Sequence, residues 1–469
     1  MASYSSTFHF LVVSFPSQGH INPSLLFAKR LLRSGSCVTF ATSRSALRQM
    51  RESKETFDDL SYAAFSDGYD DGFDIGKHDI QQFMDELKRQ GPQTLGELIG
   101  NCLTEGREFT HVFYTTLIPW AADVASSFRL RSTLIWTQPA TVLDIYYYYF
   151  DGYGDVISDA GINSSSPIVL PGLPPLTGRD VPSFFSPENH YSYFLPLMKR
   201  QFEILDEQGN SHKVLVNTFD ALEEGPLRAT RKLNLVGIGP LLPSAFLDGH
   251  NPSDTSFGGD IFQGSSKNYT EWLNNNPRAS VIYICFGSIH LLTRRQRDEL
   301  ARGLLSSSRP FLWVMRDAGK NDEENGQLIY QEELERQGII IPWSTQVEVL
   351  SHPLEGCFVT HCGWNSTSES LACGVPMVAC PQWVDQRTDA KLVEDMWKTG
   401  VRANLKSGTI IEGEEIRRCL DLVMGEGEKG EEIRRNARKW KELAKEAAGE
   451  GGSSDKNLRA FLEEIASSV

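Results

Sequence analysis

The sequence predicts an α/β protein built from two doubly wound domains that face each other across a cleft. Three observations carry this expectation. The chain has 469 residues, more than one core usually holds. Apolar strand-like runs alternate with helical stretches, the pattern of parallel βαβ units. A Gly-, Ser-, Pro- and Asp-rich stretch from Gly239 to Ser266 interrupts the alternation, which then restarts.

Taken in order, Phe8 to Phe15 reads as a buried strand, followed by the loop Pro16-Ser17-Gln18-Gly19-His20. Asn22 as N-cap with Pro23 at the first helical position predicts a helix through Leu25, Leu26, Ala28, Leu31 and Leu32. Cys37 to Thr42 is the next strand and completes a parallel unit. Further strands are expected at His111 to Tyr114, Thr133 to Thr137 and Lys213 to Asn217. Beyond the linker the strands are Ser280 to Cys285, Pro310 to Met315 and Gly338 to Ile341, with a helix over Thr293 to Ser306. Arg417 to Gly449 reads as a charged, solvated helical stretch, and Lys456 to Ser467 as a final amphipathic helix. The expected division is 1–238 for the first domain, 239–268 for the linker, 269–451 for the second domain and 452–469 for a helix returning to the first.

Apolar residues make up 40% and charged residues 23% of the chain, the balance of an ordinary globular protein. The net charge of -15, with no Lys/Arg block against it, speaks against nucleic acid or an anionic membrane as partner. A phosphate-bearing ligand must therefore be held by local dipoles. The eight cysteines are scattered through strand-like runs, which suits buried thiols in a reducing compartment better than a disulfide framework. The N-terminal residues carry no basic n-region, and Phe8 to Phe15 is too short to span a bilayer. A cytoplasmic, monomeric protein without stable membrane insertion is expected, so the sequons at Asn163 and Asn268 read as chance.

Local chemistry is richest from Trp343 to Gln386. The strand Cys357 to Thr360 runs into His361-Cys362-Gly363-Trp364-Asn365, and a helix starts near Ser366. That helix stops at Cys373, with Gly374 at C′ and Pro376 two residues beyond. Its N-terminus offers free N–H groups and a partial positive charge to a diphosphate. Ser366-x-x-Glu369 is equally a capping box that merely closes the helix start. Cys357, His361 and Cys362 match no standard zinc spacing, and no metal is expected.

The whole string WSTQVEVLSHPLEGCFVTHCGWNSTSESLACGVPMVACPQWVDQ, 44 residues from 343 to 386, resembles the signature box of plant uridine-diphosphate-dependent glycosyltransferases. FPSQGHINP near the start, PW at 119–120, WTQ at 136–138 and FGS at 286–288 extend the resemblance over essentially the whole chain. It implies the GT-B fold, two Rossmann-like domains with the acceptor held by the first and the nucleotide sugar by the second. It also implies a UDP-glucosyltransferase that needs UDP-glucose as co-substrate but no other cofactor. On this resemblance Trp343 stacks on uracil, Gln346 meets its edge or the ribose, and Glu369 accepts from the ribose hydroxyls. His361, Asn365, Ser366 and Ser288 hold the diphosphate, beside Gly363. Trp364, Asp385 and Gln386 bind the sugar, with Thr137 reaching in from the first domain. Gln386 at the last position favours glucose over galactose. Ser344-Thr345, where many members have Cys-Pro, is a minor departure.

The acceptor oxygen needs a group to take its proton, and a histidine at the tip of the first strand suits that task. His20 resembles the family's general base. Most members carry an aspartate just before PW to orient that base, and here Thr115 stands in its place. A threonine can orient the ring but cannot neutralise an imidazolium. Acceptors that are already ionised, carboxylic acids or acidic phenols, would need the aspartate least.

Tyr146 to Phe150 is a run of five aromatics that points all around a helix. Tyr146 and Tyr149, with Ser17, are the expected acceptor contacts, suited to a flat aromatic or polyene. The turn Asp67 to Phe73 reads as mobile and acidic, and resembles the subgroup that includes anthocyanin 5-O-glucosyltransferases and glucose-ester-forming enzymes. FPSQGH is no GxGxxG turn and no G-x-S-x-G is present, against a dehydrogenase, an epimerase or a serine hydrolase. The surviving alternatives are another UDP-sugar as donor, or a noncatalytic nucleotide-sugar sensor with no need of His20.

Overall fold

The structure, a computed structural model, describes residues 8–467 apart from 53–55, 58, 75–76, 163–164, 187–190, 192, 210–212, 258–268, 289–291, 316–327, 354 and 406–409. The sequons at 163 and 268 and the second half of the linker lie outside the described residues.

Two parallel sheets organise the chain. The first holds β1 (His9–Val13), β2 (Cys37–Ser43), β3 (Ser61–Phe65), β4 (His111–Thr115) and β5 (Arg131–Trp136). A small antiparallel ribbon, β6 (Pro167–Ile168) with β7 (Leu176–Thr177), interrupts before β8 (Lys213–Val216) and β9 (Asn234–Gly237). The order across the first sheet is β3-β2-β1-β4-β5-β8-β9. The second holds β10 (Val281–Cys285), β11 (Phe311–Val314), β12 (Gly338–Ile341), β13 (Glu355–Thr360), β14 (Met377–Ala379) and β15 (Gly400–Arg402). Its order is β12-β11-β10-β13-β14-β15.

Because side chains alternate along a strand, each sheet builds a core on both faces. On β1 and β4, Phe10, Val12 and Phe113 pack one way, and Leu11, Val13 and Val112 the other. The Phe10 side continues without a break into Tyr283, Phe358 and Trp364 of the second domain. Ile282, Ile284 and Val359 form the outer core of the second sheet. One apolar layer thus runs between the domains beneath the cleft.

The linker's described part is tied to the first helix. Arg30 donates to the carbonyls of Ile238 and Pro240, and Lys29 and Arg33 pair with Asp254. The helix Ser453–Ser467 lies on the first sheet, where Phe461 meets Phe113 at 6.1 Å and Asn457 donates to the Gly237 carbonyl at 2.9 Å. Seven cysteines are buried thiols, Cys37 is exposed, and all eight are free. Among the described residues no helix is long and apolar enough to cross a membrane.

Three expectations need correction. The first helix runs Gln18–Arg33, with Ser17 at N-cap and Pro23 inside it, so His20 sits in the first turn and not in a loop. The stretch 417–449 belongs to two helices, Gly413–Met424 and Glu428–Ala448, parted at Gly425, and Ile433, Ala437 and Ala444 bury one face of the second. The aromatic run is core: Tyr146, Tyr147 and Tyr148 are buried, while Tyr149 and Phe150 pack against the same cluster. A helix can be apolar all round when structure covers every side. Here the sheet supplies Trp136, and Phe185, Phe194 and Phe202 cover the rest.

Candidate donor and acceptor site

In doubly wound sheets ligands gather at the strand ends where the order reverses. The first sheet reverses between β1 and β4, the second between β10 and β13. Residues leaving all four strands line a single cleft of about 1420 Å³. It brings together Ser17, His20 and Thr137 from the first domain with Ser288, Trp343, Gln346, His361 and Gly363 from the second. Trp364, Asn365, Ser366, Glu369, Asp385 and Gln386 line it as well.

Glycines shape the end of the cleft where His361 stands. A Cβ on Gly287 or on Gly363 would lie 2.7 Å from His361 Nε2, so the ring fits only between two glycines. Gly287 also has φ +80, where a side chain is strained. The helix Trp364–Cys373 then points its N-terminus into the cleft. Asn365 Nδ2 donates across the cleft to the Gly19 carbonyl at 3.0 Å. Pro23 explains why that carbonyl is available: in a helix Gly19 O would accept from the N–H of residue 23, and proline has none.

Glu369 does not close a capping box. The helix begins at Trp364 with Gly363 at N-cap, so Ser366 is already inside it and makes no cap bond. Glu369 Oε2 instead accepts from Gln346 Nε2 at 2.7 Å, and the same nitrogen reaches Ser366 Oγ at 2.9 Å. The helix start is served from elsewhere, since the Asp385 carboxyl accepts from the Trp364 main-chain N–H. Trp364 also departs from its expected sugar contact. Its indole N–H donates to the Asn217 carbonyl at 2.7 Å, so it forms wall and not a polar contact. Gln386 Oε1 takes the N–H groups of Gln382 and Trp383 at 2.8 and 3.0 Å, which turns its amide nitrogen into the group left for a hydroxyl.

His20 is enclosed by Phe15, ring to ring at 5.1 Å, and its Nδ1 is buried with no hydrogen-bond partner. Burial pulls its pKa down from the usual 6.5 to about 4, so it is a neutral imidazole at physiological pH. Thr115 does not orient the ring. Its hydroxyl accepts from the Phe15 main-chain N–H at 2.9 Å, and the residue lies fully buried behind the cleft wall.

The wall expected to meet an acceptor is aromatic, but through other residues than expected. Tyr146 is wholly buried and Tyr149 packs against Phe185 in a tilted pair at 4.7 Å, and neither lines the cleft. Phe15, Phe83, Phe184, Tyr191, Tyr193 and Phe194 do. The string Ser183-Phe184-Phe185 with Tyr191 to Phe194 was the available sequence signal, an aromatic-rich loop between polar flanks. The acidic turn is anchored, not loose: Asp70 pairs with Arg44 at 2.6 Å and accepts from Ser66 Oγ at 2.8 Å. Tyr69 of that turn packs on Phe83 at 5.6 Å.

Residues 255–435 match the family model described as UDP-glucoronosyl and UDP-glucosyl transferase. The chain is 55% identical to phloretin 4'-O-glucosyltransferase of Malus domestica, over 97% of each protein. It is 54% identical to the chloroplastic crocetin glucosyltransferase of Gardenia jasminoides, again over 97% of each. Among solved structures, Os79 from O. sativa in complex with UDP superposes with a TM-score of 0.85 at 34% identity, covering 97% of this chain and 100% of that one. Two parallel sheets with facing switch points, a donor segment along one wall and relatives matched end to end agree, and the chain belongs to the UDP-glucosyl and UDP-glucuronosyl transferase family.

Proposed function

We propose that this enzyme transfers glucose from UDP-glucose, with inversion, to a carboxyl or acidic phenol of a flat or elongated small molecule, with His20 as general base. The acceptor oxygen attacks C1 of glucose as the bond from C1 to the β-phosphate oxygen breaks. UDP leaves with the electron pair, and the N-terminus of the helix Trp364–Cys373 faces its growing charge. Asn365, Ser366, His361 and Ser288 stand at the same end. Glu369, set by Gln346, suits the ribose hydroxyls, and Trp343 suits the uracil face. Gln386 and Asp385 suit the hydroxyls of glucose.

The observation that carries the acceptor reading is His20, a neutral ring held near a pKa of about 4 with nothing at Nδ1. So weak a base takes a proton from an ordinary alcohol reluctantly. An ionised carboxylate needs no base, and an acidic phenol needs little. The aromatic wall suits a flat partner. The relatives named for phloretin and crocetin support a small-molecule acceptor. The test is His20→Ala assayed on paired acceptors by mass spectrometry. Ester formation should survive while transfer to a weakly acidic phenol falls by about 10²-fold or more. Equal and complete loss on every acceptor would sink the proposal.

A further inference from the structure

Behind the sugar end of the cleft acidic groups crowd together, and among the described residues no cation forms an ion pair with Asp385 or Asp389. Asp385 lines the cleft, and its carboxyl lies within hydrogen-bond reach of the Asp389 carboxyl, one turn further along the helix Gln386–Lys391. Asp389 is wholly buried, and neither of its oxygens meets a donor. The titratable groups that face the pair are acids; Arg402, whose charge is felt by Cys362, is already paired with Asp180. Tyr146 comes from the first domain, with its hydroxyl buried and unpartnered. Glu223 is nearby, with Asp144 behind it, and the Cys362 thiol closes the other side. The Glu223 oxygens accept from the N–H groups of Ala140 and Thr141 and from the Thr141 hydroxyl, which oppose the rise that burial imposes on its pKa.

Two carboxyl groups in contact cannot both ionise, and a buried carboxylate without a donor is untenable. One proton must be shared, and the surroundings decide its owner. Asp385 accepts from the Trp364 N–H, which favours its charged form, whereas Asp389 has no such donor. We infer that Asp389 is a positioning residue: held as the neutral acid, it donates its O–H to Asp385 and keeps that carboxylate ionised and aimed at the donor sugar. Burial agrees with this order, bringing Asp385 up to about 6 and Asp389 well above the usual carboxylate range. The unexpected place of Tyr146 also finds a use, as part of the dry wall that keeps the pair sharing one proton.

The inference rests on Asp385 contacting the sugar, so Asp385→Asn is measured alongside. An unchanged UDP-glucose KM in Asp385→Asn would remove that footing, whatever Asp389 does. Asp389→Asn keeps an N–H donor toward Asp385, and Asp389→Leu keeps none. With acceptor saturating, Asp389→Leu should raise the UDP-glucose KM about tenfold, and Asp389→Asn should stay within about twofold. In the wild type the KM should climb at alkaline pH as the shared proton leaves, and in Asp389→Asn that climb should be absent. Matching KM values for the Leu and Asn variants, with only their melting temperatures apart, would make Asp389 a mere core residue and overturn the inference. Should the Leu variant fail to fold, an alkaline limb in Asp389→Asn like that of the wild type would overturn it equally.

Discussion

At the scale of single residues, Thr115 is the departure with chemical consequences. Its hydroxyl is engaged by the Phe15 N–H behind the cleft wall, His20 has a bare Nδ1, and the unpartnered hydroxyl that does line the cleft is that of the next residue, Thr116. A carboxylate there would stabilise the imidazolium that forms as the acceptor is deprotonated. Thr116→Asp is therefore expected to speed transfer to weakly acidic hydroxyls, by about tenfold or more. The sign of the pH effect follows. Wild-type His20 has its pKa lowered to about 4 by burial, so neutral base persists as pH falls past 6.5 and the acid limb lies near 4. The variant's limb should move up toward 6.5, read from kcat/KM between pH 4 and 8. A limb that stays near 4 would mean the new carboxylate does not reach the ring. His20 itself was legible from its motif, whereas its isolation was not, since that depends on where a main-chain N–H of Phe15 points.

Among elements, the turns around the donor helix show what sequence patterns reveal. Gly374 with Pro376 marked the helix end, and Gly374 indeed sits at C′ with φ +75, its N–H bonded to Leu371 O. The beginning was harder to read. Asn22-Pro23 looked like a start, yet Gln18 to Asn22 are already helical, because the Ser17 carbonyl already takes the His20 and Ile21 N–H groups and proline costs only the Gly19 bond. Likewise the capping-box spacing of Ser366 and Glu369 was real as a pattern, but Asp385 serves that helix end from across the sheet edge. Local rules cannot see such a distant partner. The most exacting turn follows β10. Gly287→Ala would place a methyl 2.7 Å from His361 Nε2 at φ +80. Left-handed strain of about 1–2 kcal/mol should lower the melting temperature by a few degrees. The displaced ring should raise the UDP-glucose KM about tenfold, measured by initial rates. An unchanged KM would show that His361 does not hold the donor.

For the whole molecule, strand runs and a low-complexity break were enough to expect two doubly wound halves, because periodicity and composition are local properties. What the halves do to each other was not legible, since it rests on pairs far apart in sequence. The segment after β7 is the clearest case. Ser183 donates its N–H to Val384 O at 2.9 Å and accepts the Val384 N–H on its hydroxyl at 2.7 Å. That grip holds Val384 at φ +59, a conformation a β-branched residue avoids, and so places Asp385 beside it. Asp180 anchors the segment. It is 1% exposed, accepts from Arg402 Nη1 at 2.8 Å, and its carbonyl takes the Thr388 hydroxyl. Arg402→Met leaves that carboxylate buried with the Thr177 N–H and hydroxyl as close donors and with Arg179 at 3.7 Å and Lys391 at 4.0 Å as weaker ion pairs. The expected cost is about 1–2 kcal/mol, below the range for an orphaned buried charge because Thr177, Arg179 and Lys391 still serve it. Guanidinium unfolding should read this loss, and UDP-glucose KM should rise as Asp385 shifts. Adding Asp180→Asn to the same chain removes the stranded charge and should restore most of the stability. It should restore KM much less, because the Arg402 tie between the domains is still missing. If KM recovered fully with stability, the two domains would be joined well enough without this pair, and its role would be folding alone.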